Sequence, residues 1–278
     1  MADTQTLESV DESEFAGPLD AALAATERQP AQPKVWIALP AYNEEKSLPP
    51  LLEAIHAALE PAGIDYGVIV VDDGSRDATA SIAREAAAEG PVELIMHVKN
   101  QGLAAAIRTC LSAAVARSGP NDVIVTMDCD DTHPPRLIPQ MLDAINDGRD
   151  VVIASRFQPG AKVVGVPASR MVYSIGAKWM FQTLFPIHGV RDYTCGYRAY
   201  RADAIREAAQ MYGDHLITET GFSCMADLLL KLRKLPLEMS EVPLELRYDR
   251  RGGASKMRVI RTIRQTLFLM LRRRFGQL

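Results

Sequence analysis

The sequence predicts an α/β fold with a Rossmann-like, mainly parallel sheet flanked by helices. Three observations predict it. Short apolar runs alternate with longer helical stretches from Lys34 to Ser155. Each gap between runs is long enough for a crossover helix, the connection that parallel strands require. And a polar cluster follows each run, on the side where an open α/β sheet gathers its ligands.

The elements follow in order. KVWIALP (34–40) is a strand, and SLPPLLEAIHAALE (47–60) is a helix beginning after its prolines. YGVIVVDD (66–73) is a strand, followed by a helix, DATASIAREAAAEG (77–90), that Gly90 stops. VELIMHV (92–98) is a strand, and GLAAAIRTCLSAAVARSG (102–119) is a helix stopped by Gly119. DVIVTMD (122–128), PRLIPQMLDAINDG (135–148) and DVVIAS (150–155) complete a strand, helix and strand. The strands are continuous apolar runs, as expected where helices cover both faces. After Arg156 the alternation breaks. A Gly/Pro-rich loop runs to Pro167, and an aromatic helix spans Arg170 to Phe185. TCGYRAYRADAI (194–205) and LEMSEVPLELRY (237–248) read as further strands, with a helix FSCMADLLLKLRK (222–234) before the second. One domain over 34–256 with an elaborated second half accounts for this pattern.

The two ends differ in charge. The first 33 residues carry seven acids and one arginine, whereas Arg247 to Leu278 holds ten Arg or Lys and one acid. Residues 1–33, rich in Ala, acids, Gln and Pro, lack the apolar periodicity to pack and read as a dispensable disordered tail, with a short helix near Asp20–Glu27 as the alternative. Residues 257–278 read as a basic amphipathic helix. On it Val259, Ile260, Ile263, Leu267, Met270 and Leu271 share one face, with Arg258, Arg261 and Arg272 opposite. Such a helix packs on the core or lies in a lipid interface with its arginines on anionic headgroups. A net charge of −4 argues against general nucleic-acid binding. Cys110, Cys129, Cys195 and Cys224 show no CxxC spacing and read as reduced thiols of a cytoplasmic protein. There is no signal peptide, and no apolar run reaches the roughly 18 residues of a membrane span. The expectation is therefore a cytoplasmic chain, peripheral at the membrane's cytoplasmic face.

The clusters at the strand ends carry the chemistry. They are PAYNEE after the first strand, DDGSRD after the second, KNQG after the third, DCDD after the fourth and SR after the fifth. The first turn lacks the glycines of a dinucleotide site. Taken singly, each cluster has an ordinary reading. DDGSRD suits a tight turn with Asp77 as a helix cap. Tyr42 suits packing, and Glu44 suits the first turn of a helix. DCDDTHPP suits an Asp-rich turn. Their joint placement on one sheet edge is what points to a site. There Asp128, Asp130 and Asp131 repel one another unless a cation sits among them.

The ordered set resembles the family-2 glycosyltransferases of the GT-A fold. The likeness is greatest to the polyprenyl-phosphate glycosyltransferases, the group typified by dolichol-phosphate mannose synthase. It rests on Pro40 to Glu44, Asp72 to Ser75 with Asp77, Asn100 with Gly102, Asp128 to Asp130 with His133 to Pro135, and Ser155-Arg156. Further matches are Gly196 to Arg198, and Arg250 with Gly253, Ser255 and Lys256. The resemblance implies that the cation is Mg²⁺ or Mn²⁺, held by Asp128 and Asp130 beside a nucleotide diphosphate. This chain has Asp131 where an apolar residue is common, and Thr132 where Gln often helps the metal; either would be a further ligand. Pro40, Tyr42 and Glu44 would surround the base and ribose, and Asp72 or Asp73 would accept from the base.

On the acceptor side, a lipid phosphate is already ionised and needs cations rather than a base. The second half offers Arg156, Arg170, Arg191, Arg198, Arg250, Arg251 and Lys256. The resemblance assigns phosphate contacts to the positions of Arg170, Arg250 and Lys256. A hydroxyl acceptor would need a base, for which Asp192 is the candidate; otherwise Asp192 would orient Arg198. The implied function is inverting transfer of mannose from GDP-mannose, or of glucose from UDP-glucose, to a polyprenyl phosphate. The rivals are a family-2 transferase acting on a hydroxyl and a catalytically silent membrane adaptor.

Overall fold

The strands end where their apolar runs end, and this places the acidic clusters together. The computed structural model describes residues 33–250 and 259–275. Residues 1–32, 251–258 (with Arg251, Gly253, Ser255 and Lys256) and 276–278 lie outside the described residues.

The first half has the predicted order of elements, except that the first helix starts before its prolines and not after them. Strands β1 (Val35–Ala41), β2 (Tyr66–Asp72), β3 (Val92–Met96), β4 (Val123–Thr126) and β5 (Val151–Ser155) alternate with four helices. These are α1 (Leu48–Leu59), α2 (Thr79–Glu89), α3 (Leu103–Arg117) and α4 (Ile138–Asn146). Helix α1 takes its two prolines into its first turn, where a missing N–H costs nothing. β1 pairs in parallel with β2 and with β4, and β2 with β3. Leu48, Leu51, Ile55 and Leu59 line the buried face of α1 at helical spacing.

The second half departs from the reading in three places. The Gly/Pro-rich loop contains a short strand, β6 (Lys162–Val164), ahead of helix α5 (Ala168–Leu184). TCGYRAYRADAI is only partly strand: β7 (Arg198–Arg201) passes directly into helix α6 (Ala202–Tyr212). β7 is antiparallel to both neighbours, β4 and β5. LEMSEVPLELRY is two strands in different sheets. β8 (Met239–Pro243) continues the main sheet beside β5, and β9 (Glu245–Arg247) pairs with β6. The main sheet thus has seven strands in the order β3-β2-β1-β4-β7-β5-β8. Helix α7 (Cys224–Leu232) follows a 3₁₀ turn, Gly221–Ser223, and α8 (Val259–Arg274) closes the chain. The four cysteines are buried and no disulfide links them.

α8 packs against α5 and the Gly221–Ser223 turn. Its buried face differs from the one read in the sequence. Thr262, Thr266, Leu269 and Met270 are buried, while Leu267, Phe268 and Leu271 are exposed. Electrostatics select this face. Asp227, fully buried on α7, accepts from Arg273 and Lys231. Burial alone would raise the Asp227 carboxyl, but its bonds and charge pairing with Lys231 and Arg273 hold it below the usual carboxylate range. Arg272, expected on the solvent face, bonds Glu219 at 3.0 Å.

Candidate active site

The strand ends β1, β2 and β4 and the turn Gly221–Ser223 enclose a cleft of about 1140 Å³. Pro40, Tyr42, Glu44, Asp73, Asn100 and Gly102 line it. The loops are tied by side chains reaching backbone donors. Asp73 is 3 % exposed and accepts from the Gln101 N–H at 2.9 Å, the Gly102 N–H at 2.7 Å and His97 Nδ1 at 2.7 Å. Asp73 therefore fixes the KNQG loop. Asp72 is buried, and its Oδ1 accepts from the Ser75 N–H at 3.1 Å. Only Asp73 of this pair lines the cleft. Gly74 explains its own presence: its φ is +69°, and a Cβ there would lie 2.6 Å from the Asn100 backbone nitrogen. Glu44 accepts from Ser47 Oγ at 2.7 Å; it precedes α1, whose first turn holds no acid, so the first-turn reading of Glu44 does not hold.

A second cleft, about 910 Å³, opens beside the first. Arg156, Arg170, Ser174 and Thr194 meet the apolar Val166, Leu244 and Leu246 there. Asp128 and Asp130 line both clefts. Asp130 is only 8 % exposed, and its Oδ1 accepts from Thr132 Oγ1 at 2.6 Å and from the Thr132 N–H at 3.2 Å. Thr132 thus orients Asp130. Asp131 has a left-handed backbone, φ +58°, a conformation Asp tolerates better than most residues. The Asp128 N–H donates to His133 Nδ1 at 3.0 Å, and the His133 ring stacks on Tyr197 at 5.0 Å. His133 therefore props the backbone of the acidic loop.

The cations divide sharply. Arg156 donates from Nε to Asp192 Oδ2 at 2.8 Å and from Nη2 to Oδ1 at 2.7 Å, a bidentate pair. Its Nη2 also reaches Thr194 Oγ1, and its Nη1 reaches Ser174 Oγ. Four of its five N–H groups are thus engaged within the chain. Asp192 is fully buried and also accepts from the backbone of Arg156, Thr194 and Cys195. Burial alone would raise its carboxyl; the charge and hydrogen bonds of Arg156 and the backbone donors outweigh that and hold it below the usual range. Asp192 pairs with Arg156, in place of the base role or the orientation of Arg198 read from the sequence. Arg198 is fully buried and donates to the carbonyls of Met225 and Tyr193, so it is a core residue. Arg191 donates to Gln158 Oε1, away from both clefts. Arg170 lines the second cleft, donates to the Tyr248 hydroxyl at 2.6 Å and lies 5.3 Å over that ring. The Arg250 backbone ends a 3₁₀ turn beginning at Tyr248; its side chain, like Lys256, lies outside the described residues. Ser174, Thr194 and Tyr248 were missed in the sequence. Ser174 had a signal, standing four residues after Arg170 on one face of α5.

The donor set fits a divalent cation bound together with a substrate. Among the described residues no three His, Cys, Asp or Glu side chains form a metal cluster. Two hard carboxylates with the remaining positions left to substrate phosphates and water is the way Mg²⁺ is commonly held.

A sheet of this order with an acidic pair between two clefts at its carboxyl edge defines a GT-A fold. The chain belongs to glycosyl transferase family 2, whose family model matches residues 36–208. It is 34 % identical over 199 residues to the dolichol-phosphate mannosyltransferase of Pyrococcus furiosus, covering 71 % of this chain and 53 % of that protein. The chain thus spans about half the length of that relative. It is 32 % identical over 226 residues to the polyprenol monophosphomannose synthase of Mycolicibacterium smegmatis, covering 81 % of each. The fold is shared with glucosyl-3-phosphoglycerate synthase from Mycobacterium tuberculosis, crystallised with Mn²⁺, UDP and phosphoglyceric acid. That match has a TM-score of 0.59 and 19 % identity, and covers 88 % of this chain and 80 % of that one.

Proposed function

We propose that this chain is an inverting, metal-dependent glycosyltransferase that moves a sugar from a nucleotide diphosphate to a polyprenyl phosphate. Mannose from GDP-mannose is the first choice and glucose from UDP-glucose the second. One observation carries the acceptor class. Among the described residues, the only carboxylates lining the second cleft are Asp128 and Asp130. Asp192 is sealed beneath Arg156, and neutral His133 carries its proton on Nε2, because Nδ1 accepts from a backbone N–H. A hydroxyl acceptor would find no free base there. A phosphate acceptor needs none, and arginines beside apolar side chains suit a lipid phosphate.

In the reaction, an acceptor phosphate oxygen forms a bond to C1 of the sugar. The C1–O bond to the diphosphate breaks, its electron pair leaves on the nucleoside diphosphate, and no proton need move. Asp128 and Asp130 would hold the Mg²⁺ or Mn²⁺, which supplies neutralisation of the leaving group's charge. Thr132 and His133 hold the acidic loop in position. Pro40, Tyr42, Glu44 and Asp73 form the walls for the nucleotide. Arg170, with Arg250 and Lys256, would neutralise the acceptor phosphate, and Arg156 adds its remaining N–H from a fixed position. Arg170→Ala and Arg250→Ala are each expected to lower transfer at least tenfold, since a charged hydrogen bond is worth roughly 1.5–3 kcal/mol. Nucleotide binding, measured by calorimetry, should change little. Parallel loss of both would contradict the acceptor assignment.

The outer faces of α5 and α8 support a peripheral membrane location. Val172, Ile175 and Trp179 on α5 and Leu267, Phe268 and Leu271 on α8 are exposed apolar residues on two packed helices. No helix among the described residues is long and apolar enough to cross a membrane. The protein is expected to pellet with vesicles containing anionic lipid and to be released as salt rises. A Trp179→Ser/Phe268→Ser double variant should stay in the supernatant. Equal pelleting of the variant would contradict this location.

A further inference from the structure

Three residues are shared by the linings of the two clefts: Asp128, Asp130 and Phe222. The acids have a role. Phe222, a half-buried aromatic on no strand end, matches no motif of the sequence and has none. A group passing from a donor in one cleft to an acceptor in the other must cross the boundary that these three side chains make.

The mounting of Phe222 is fixed from several sides. Its 3₁₀ turn starts at Gly221, whose φ of +64° is open to glycine at little cost. Ser223 Oγ donates to the Thr220 carbonyl at 2.9 Å, and Gln265 Nε2 of α8 donates to Thr220 Oγ1 at 3.0 Å. The turn also packs on α3 and α7. A large apolar ring held this firmly beside two carboxylates is poorly placed for stability alone. It leaves part of its surface open to the clefts.

We infer that Phe222 is a sugar-positioning residue: its ring forms the wall against which the pyranose of the nucleotide sugar rests at the junction of the clefts. The inference rests on the glycosyl-transfer reading above and deepens it. Two properties of the ring serve that place. Its face carries partial negative charge, which attracts the sugar's C–H groups and, more strongly, the positive charge that grows at C1 as the glycosidic bond breaks. Its bulk also keeps water from C1, so that the acceptor is the nucleophile that arrives. The first property favours the transition state over the bound donor, so its loss appears in kcat more than in KM.

The test compares wild type with Phe222→Ala, Phe222→Leu and Phe222→Tyr, all checked by thermal melting. Leu retains apolar bulk without the ring, and Tyr retains the ring. GDP-mannose and UDP-glucose are each supplied, with and without polyprenyl phosphate, and binding of GDP and UDP is measured alone. Both Ala and Leu are expected to lower kcat about tenfold, with a smaller change in KM. Tyr should recover most of the rate. Binding of the free diphosphates should be unchanged, and for Ala the ratio of donor hydrolysis to transfer should rise. A Leu variant as active as wild type would overturn the inference, as would diphosphate binding that weakens as much as transfer does. If wild type transfers to something other than polyprenyl phosphate, the acceptor reading fails by itself. The Phe222 comparison then runs on donor hydrolysis, where the same loss in the Leu variant supports the role and an unchanged rate overturns it.

Discussion

Asp130→Asn is expected to lower sugar transfer by about 10²–10³, the usual cost of losing one group that stabilises charge developing in the transition state. Its melting temperature should stay close to that of wild type. Asp130 is only 8 % exposed, yet the change leaves its local bonds in place. Asn keeps the Oδ1 acceptor used by Thr132 Oγ1 and the Thr132 N–H. The change also removes one of two like charges from neighbouring positions, which offsets the loss of a good carboxylate bond. What disappears is the negative charge facing both clefts. Wild-type activity should correspondingly need Mg²⁺ or Mn²⁺ and vanish in excess EDTA. Full turnover in EDTA, or an active Asp130→Asn protein, would remove the metal from the account.

Asp192→Asn is expected to behave in the opposite way, acting on stability first. Removing one partner of a buried ion pair typically costs about 3–5 kcal/mol, because the other charge is left uncompensated. The Arg156 side chain is 18 % exposed and so can regain some water from the cleft, which puts the expectation near 3 kcal/mol. A domain of this size loses roughly 2–4 °C of Tm per kcal/mol, so the variant should melt roughly 6–12 °C below wild type. The pH dependence gives a second readout. The folded-state pKa of Asp192 is lowered, so the stability it contributes is fully present above the ordinary Asp value of about 3.9. It is lost as pH falls from there through the depressed folded value. That part of the acid limb should be absent in the variant. If Asp192 were instead a base for a hydroxyl acceptor, Asn would abolish turnover at an unchanged Tm.

The contrast between these two aspartates shows what was legible in the sequence. Asp128 and Asp130 sit at the end of an apolar run, and strand ends in a parallel sheet share an edge. Their convergence with Pro40, Tyr42 and Asp73 therefore follows from local pattern plus topology. Asp192 and Arg156 are 36 residues apart and meet through loops that follow β5 and precede β7. No periodicity reports such a contact, and the sequence left Asp192 as a base or a partner of Arg198, and Arg156 as one of seven candidate cations. Arg198 deceived for a related reason: an arginine can be buried when backbone carbonyls accept from it, and here those of Met225 and Tyr193 take Nη1 and Nη2 and leave Nε without a partner among the described residues. The helix α6 was hidden because strand β7 runs into it at Ala202 without a Gly or Pro between them. On α8, Asp227 and Glu219 draw Arg273 and Arg272 inward, and Leu267 and Leu271 of the expected apolar face turn outward. Phe222 carried no motif at all; its place became visible only when the two clefts were seen to share it.

The acceptor class is tested most directly by one comparison. Purified protein is given the same nucleotide sugar and Mn²⁺ with either a polyprenyl phosphate or the matching free polyprenol, in the same detergent. Because the second cleft offers arginines and, among the described residues, no base apart from the acidic pair assigned to the metal, the phosphate should be glycosylated and the alcohol should not. Equal glycosylation of the free alcohol, or transfer to a soluble sugar hydroxyl in preference to the lipid phosphate, would contradict the account.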